Sequence, residues 1–481
     1  MKRIHSAMAA AVVLALVACG DQPQEPTDSG IGAGSGPSLA AGGVSGATGK
    51  YVIRLASGGA SILPGAIASM GGTVEWLSSG AGLAAVSGIT PAQAASLGTS
   101  SGVVAVIADV AIPFDAPMAS DAMTEAVAGD AVESPAAPQT AFFYARQWHL
   151  RAIGANLGWA GGFLGSSSVS VFILDTGIDY THLDLAGRVD LTRSADMLGT
   201  FMVNGIPFTE ADTVQKYFPG RHPSTDLFYH GTHVGATVSS NALAAAGVTS
   251  GTRLVAVKVC AYLNICPVSS VLAGVIHAAD NGADVMNLSL GGTYSKATDE
   301  ALITLINATF DYARSKGVTI VVSAGNNAIN LDKDRSGYKT YCSTPSTICV
   351  SATGPTAQAG INGPWTNIDA PASYTNYGRS AINVAAPGGN AASAVWAACS
   401  RTSLLVPICQ TGTFVVGLQG TSMASPHVAG TAALLVPVLG RDPGAIKSAL
   451  QGTADDLGVT GTDPYYGRGR LNTARAVGVI P

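Results

Sequence analysis

Three short stretches of this 481-residue chain carry residue types that could do chemistry. In Gly420-Thr421-Ser422-Met423-Ala424-Ser425 a serine sits among small residues, at the mouth of an apolar run that reads as a helix. A serine nucleophile needs room for a carbonyl carbon and N–H donors for the charge that develops on oxygen. Small neighbours leave the room. A helix N-terminus offers unpaired N–H groups at the positive end of its dipole. Leu174-Asp175-Thr176-Gly177-Ile178 adds a carboxylate, and Tyr229-His230-Gly231-Thr232-His233-Val234 adds two imidazoles. Serine, histidine and aspartate together can run acyl transfer through a nucleophile, a base and a group that orients the base.

Each stretch alone has a plainer reading. A Gly-Thr-Ser turn commonly just caps a buried helix. Asp-Thr-Gly also occurs in carboxylate-pair peptidases, but a second copy would be needed and none exists. His230 and His233 could share a metal, yet their spacing is i, i+3 and no H-E-x-x-H is present. Gly98-Thr99-Ser100-Ser101-Gly102 matches G-x-S-x-G. It follows a helical pattern and precedes a strand pattern, the reverse of a nucleophile elbow.

The elements that must position these residues are legible as patterns. Residues 169–174, 254–259, 284–288, 318–323 and 348–352 are continuous apolar runs. Helical patterns at 233–241, 269–281 and 299–316 separate several of them. Buried strands alternating with helices predict a parallel sheet with helices on both faces. In such sheets the site lies beyond the C-terminal ends of the strands. Asp175 and Ser289 fall at or just past such ends, and Asn326 follows shortly after one.

The three chemical stretches, in the order Asp, His, Ser, resemble the signatures of the subtilase family of serine peptidases. The resemblance extends from about residue 145 to 478. It implies Ser422 as nucleophile, His230 as base and then acid, and Asp175 as the residue orienting the imidazole. His233 is then structural. Ser323-Ala324-Gly325-Asn326 resembles the family's oxyanion segment, with the Asn326 amide and the Ser422 N–H as donors. Ser289-Leu290-Gly291-Gly292 resembles the substrate-binding edge, where extended peptide adds as a strand. Polypeptides are the implied substrates. The family often binds structural calcium, but no D-x-D-x-D run identifies ligands and the chemistry itself needs no cofactor. The segments 190–228 and 389–419 are longer than in compact members, and the first is expected as a loop near the cleft. The runner-up is a non-catalytic envelope lipoprotein on the same scaffold.

The N-terminal part reads differently. Lys2 and Arg3 precede an apolar run, 8–18, too short to span a bilayer and suited to a signal-peptide core. Leu16-Val17-Ala18-Cys19-Gly20 resembles a bacterial lipobox, which implies lipidation of Cys19. The expected division is a signal peptide at 1–18, a Gly/Ser/Pro-rich tether at 19–49, a small domain at 50–113, an exposed linker at 114–144 and the catalytic domain at 145–481. In the small domain the patterns run β-α-β-β-α-β: 51–55, 61–70, 72–77, 82–86, a helix opened by Thr90-Pro91 with Gln93 closing a capping box, and 103–107. Ahead of a subtilase domain this ferredoxin-like α+β unit resembles the family's inhibitory propeptide, removed by self-cleavage in the linker.

Of seven cysteines, six lie after residue 259. Fifteen pairings are open in principle; proximity in sequence favours Cys260–Cys266, Cys342–Cys349 and Cys399–Cys409, as an exported protein would allow. A net charge of −5 gives no basic footprint for nucleic acid. The membrane enters only through the anchor on Cys19.

Overall fold

The structure is a computed structural model that describes residues 46–114, 116–117, 123–339, 341–390 and 392–481. The signal peptide, Cys19 and nearly all of the tether lie outside the described residues.

A seven-stranded, wholly parallel sheet forms the centre. Its order is Val384–Pro387, Thr347–Thr353, Thr319–Ser323, Val285–Leu288, Ser170–Asp175, Arg253–Lys258 and Ala195–Asp196. Strand side chains alternate between faces, and here both faces are buried. Val171, Ile173, Ala256, Val285, Val321 and Val350 pack on one side with the helices His230–Val238 and Thr421–Leu439. Phe172, Leu174, Val257, Met286, Ile320 and Val322 pack on the other with Val268–Asp280 and Glu300–Ser315. Burial on both faces is why these strands read as unbroken apolar runs. The expected α/β architecture is therefore the one observed.

The segment 46–113 builds a separate antiparallel sheet in the element order β-α-β-β-α-β. Gly46–Leu55 pairs on one side with Leu83–Ser87 and on the other with Val103–Pro113, and Thr73–Ser78 completes the edge. The capping box is present: Gln93 N–H donates to Thr90 Oγ1, and Thr90 N–H donates to Gln93 Oε1 at 2.7 Å. Several boundaries differ from the sequence reading. The first strand begins at Gly46, inside the expected tether, instead of at 51. The first helix spans Gly59–Ser69 instead of 61–70 and runs through Pro64. The last strand runs to Pro113 because its end finds a partner outside the small sheet: Ile112 pairs with Cys266 and Pro113 with Ile265 of Ile265–Pro267.

The segment after residue 114 is not simply an exposed linker. Thr124–Ala126 adds a third strand to the hairpin Val395–Ala398/Phe414–Leu418, and Phe143 is buried beneath Arg146. The segment 190–228 holds the hairpin Thr200–Val203/Ile206–Thr209 and the helix Glu210–Tyr217. It reaches the small sheet, where Lys50 Nζ donates to the Leu198 carbonyl at 2.9 Å.

Candidate active site

Asp175 ends the strand Ser170–Asp175, and His230 opens the helix His230–Val238. His230 Nδ1 and Asp175 Oδ1 are 2.8 Å apart, and both side chains are fully buried. This close approach depends on Gly231. A Cβ at that position would meet the Gly177 carbonyl at 2.1 Å and Asp175 Oδ1 at 3.1 Å.

A polar frame fixes the pair. Thr176 N–H donates to Asp175 Oδ1 at 2.8 Å, Thr176 Oγ1 donates to Asp226 Oδ1 at 2.9 Å, and Gly231 N–H donates to Thr176 Oγ1 at 3.0 Å. Asp226 also accepts from Thr232 N–H and from its hydroxyl, at 2.9 and 2.6 Å. Burial, with the neighbouring Asp175 charge, pushes the Asp226 carboxyl up to about 6. No sequence pattern marks Asp226, which lies in the long 190–228 segment.

Ser422 is the second residue of Thr421–Leu439, so its N–H is among those the helix leaves without an intrahelical partner. Its hydroxyl donates to the Ser289 carbonyl at 3.1 Å, and Ser289 Oγ donates to the Ser422 carbonyl at 2.8 Å. The Ser289 side chain thus turns inward to brace the helix. His230 Nε2 has no hydrogen-bond partner among the described residues. Rotation of the Ser422 hydroxyl off the Ser289 carbonyl is the motion that would engage a base.

Asn326 follows the strand Thr319–Ser323. Its Oδ1 accepts from Thr421 N–H at 2.9 Å and from Thr421 Oγ1 at 2.8 Å. A backbone N–H can only donate, so the oxygen must face Thr421, and the NH2 group forms the other edge. Buried Asn376 holds this loop: its Nδ2 donates to the Ala324 carbonyl at 2.8 Å, and its Oδ1 accepts from Asn327 and Ile329 N–H. Ser289, Leu290, Gly291, Asn326 and Ser422 line one pocket, and Ser323, Gly325 and Lys339 complete much of its wall.

The remaining histidines of these motifs are structural in their contacts. His233 Nε2 meets the Val395 carbonyl at 3.0 Å, and burial drives its pKa down to about 3. His427 Nδ1 meets the Met423 carbonyl at 2.7 Å, so its Nε2 accepts from His149 Nδ1 at 2.8 Å. Burial lowers His427 to about 4. Cys260–Cys266, Cys342–Cys349 and Cys399–Cys409 are bonded in the expected pairs, and none of the six lines the pocket. Among the described residues no cluster of three or more His, Cys, Asp or Glu is placed to hold a metal ion.

The chain's own segment crosses this site. The Phe114 ring stands edge-on to the His230 ring, centroids 4.7 Å apart. Phe114 N–H donates to the Asn264 carbonyl at 2.9 Å, continuing the pairing of Val103–Pro113. The Tyr229 hydroxyl, beside His230, donates to the Pro117 carbonyl at 2.9 Å.

A buried Asp–His pair and a helix-start serine, with Asn326 in the serine's pocket, can perform acyl transfer on a carbonyl. Residues 166–469 match the model of the subtilase family, and the chain belongs to that family as a subtilase-type serine endopeptidase. It is 35% identical over 316 residues to a thermophilic serine proteinase of Bacillus sp. (strain AK1), covering 65% of this chain and 62% of that protein. It is 31% identical to thermitase of Thermoactinomyces vulgaris, covering 71% of this chain and 99% of the relative. Among solved structures, the fold is similar to the epidermin leader peptide processing serine protease of Staphylococcus aureus, with a TM-score of 0.66, 17% identity, and coverage of 90% and 98% of the two chains. It is also similar to fervidolysin of Fervidobacterium pennivorans, with a TM-score of 0.64, 23% identity, and coverage of 92% and 62%.

Proposed function

We propose that the chain is an exported serine endopeptidase made as a self-processing zymogen. Ser422 attacks the peptide carbonyl while His230 Nε2 takes its proton, and His230 then returns that proton to the leaving amine. Asp175 fixes the imidazole with Nδ1 protonated and stabilises its charged form. The Asn326 NH2 group and the Ser422 N–H receive the oxyanion. Ser289, Leu290 and Gly291 offer their backbone to extended substrate. Water then releases the acyl group by the same steps in reverse order.

The positions of Phe114 and Pro117 carry the zymogen reading. Phe114 covers His230 and Pro117 bonds to Tyr229, so the chain's own segment already lies across the site. The self-cleavage point is then between 114 and 117, at the N-terminal limit of the linker. Residues 46–113 act as an inhibitor that pairs with Ile265–Pro267. If Cys19 carries lipid, the cut frees the catalytic domain from the anchor, so activation and release are one event. Fractionation with N-terminal sequencing tests this. Wild type should yield a soluble active species beginning at residue 115, 116 or 117, and Ser422→Ala should stay full length and membrane-bound. Active enzyme that remains intact at 114–117 would defeat the zymogen reading.

A further inference from the structure

Among the described residues, Lys339 is the one charged residue lining the pocket beside Ser422. Its position is built rather than incidental. Lys339 ends the strand Gly337–Lys339, which pairs antiparallel with Thr293–Ser295, so Thr293, two residues past the substrate-edge Gly291, sits opposite it. Its N–H donates to Ser343 Oγ at 3.1 Å, and the Cys342–Cys349 bond ties the following turn to the central sheet. The side chain then runs inward. Nζ donates to Asn327 Oδ1 at 3.0 Å, next in sequence to Asn326.

Gly325 makes the room for it. Gly325 has a φ of +95°, where a side chain is strained, and a Cβ there would lie 2.6 Å from Lys339 Cε and 3.0 Å from Nζ. The ammonium therefore rests on bare backbone one residue before Asn326, in the wall of the pocket. A half-buried ammonium in such a wall attracts a carboxylate, repels a cation, and loses hydration without return against an apolar side chain.

We propose that Lys339 makes this peptidase select an acidic residue, glutamate or aspartate, immediately before the scissile bond. The inference rests on the serine-peptidase reading of Ser422 and adds the substrate class. The chain's own sequence agrees with it independently. Of the three bonds between residues 114 and 117, only Asp115–Ala116 has an acid on its N-terminal side. Hydrolysis there adds water across the C–N bond, leaving a carboxylic acid on Asp115 and an amine on Ala116.

The experiment uses wild-type enzyme after its own processing. Peptides identical except for Glu, Asp, Gln, Leu, Phe or Lys before the cut are compared by kcat/KM, and active sites are counted with a serine-directed phosphonate. Glu should exceed Gln by about tenfold or more. Lys339→Met should lower the Glu/Leu ratio by a similar factor per labelled site, and Lys339→Arg should largely retain it. In the full chain, Asp115→Lys should slow self-cleavage, and Lys339→Glu combined with Asp115→Lys should restore it. An N-terminus at Ala116 supports the proposal, whereas one at Asp115 overturns it. A Glu/Leu ratio unchanged by Lys339→Met overturns it as well. Absence of phosphonate labelling in wild type would instead remove the serine mechanism, an outcome distinct from lost selectivity.

Discussion

The two largest sheets of this molecule solve different problems. The seven-stranded sheet is covered on both faces, and its strands Ser170–Asp175, Val285–Leu288, Thr319–Ser323 and Thr347–Thr353 are buried from end to end. The 46–113 sheet has a core of few residues, among them Ile53, Leu63, Ile67, Ala84 and Val86, and its strand Thr73–Ser78 is largely exposed or half-buried. Small units bury a smaller share of their surface and are marginal alone. This one borrows support. Its Asp109 reaches the N-terminus of Val268–Asp280, where Oδ1 accepts from Ser269 N–H at 2.7 Å and Oδ2 from the Ser269 hydroxyl at 2.6 Å. The small unit thus supplies a cap that this helix of the large region lacks from its own N-cap residue, Pro267. The small region leans on the large one for burial, and the large one takes a helix cap from it in return.

The comparison can be broken or sharpened by measurement. Ser422→Ala should lower peptide turnover by about 10⁶-fold and keep the two regions in one chain; separation of the regions in that variant would mean another protease does the cutting. Asn326→Ala should slow turnover by about 10²–10³-fold, and unchanged turnover would remove Asn326 from the reaction. In the uncut Ser422→Ala chain, Phe172→Ala should destabilise the large region by about 3–5 kcal/mol and Leu63→Ala the small one by about 2–5 kcal/mol. Calorimetry should show each shift in its own transition. A joint shift would mean that the regions unfold as one body.

The smallest expected effect is a pH dependence within the large region. His427 and His233 are buried neutral, at about 4 and about 3, against about 6.5 in the unfolded chain. Their folded values are depressed, so the unfolded state takes up protons that the folded state refuses. Stability is therefore lost as pH falls from about 6.5 toward 4. Asp226, raised to about 6, acts in the opposite sense and offsets part of the loss. His427→Gln in the Ser422→Ala chain should shrink the drop in Tm between pH 7 and pH 5. An unchanged drop would show that His427 does not govern it.

The parts of this molecule legible in its sequence are those written as local pattern. Apolar runs announced the central strands, and Asp175 was conspicuous because it ends one. Thr90, Pro91 and Gln93 announced their helix by capping chemistry alone. Asp226, Lys339 and Phe114 carry no such local mark, because their meaning lies in distant partners. Asp226 matters through Thr176, fifty residues earlier. Phe114 matters through a ring contact with His230. Lys339 is one lysine in a loop-rich stretch until the pairing with Thr293–Ser295 brings it to the pocket. The Val103–Pro113 strand looked shorter than it is for the same reason, since its last pairs are with Ile265–Pro267. Residue type and periodicity do not encode pairings between loops so far apart.

The contacts of Phe114 with His230 and of Pro117 with Tyr229 give the proposed self-processing a kinetic consequence. If the first bond cut belongs to the enzyme's own molecule, maturation is a first-order process. Dilution should leave the half-time unchanged, because tethering replaces bulk concentration. Under that proposal a peptide in solution would compete with a segment never more than one chain length away. Until that segment departed, raising the substrate concentration would recruit little activity, and the progress curve of a fresh preparation would begin with a lag whose length is a property of the single molecule.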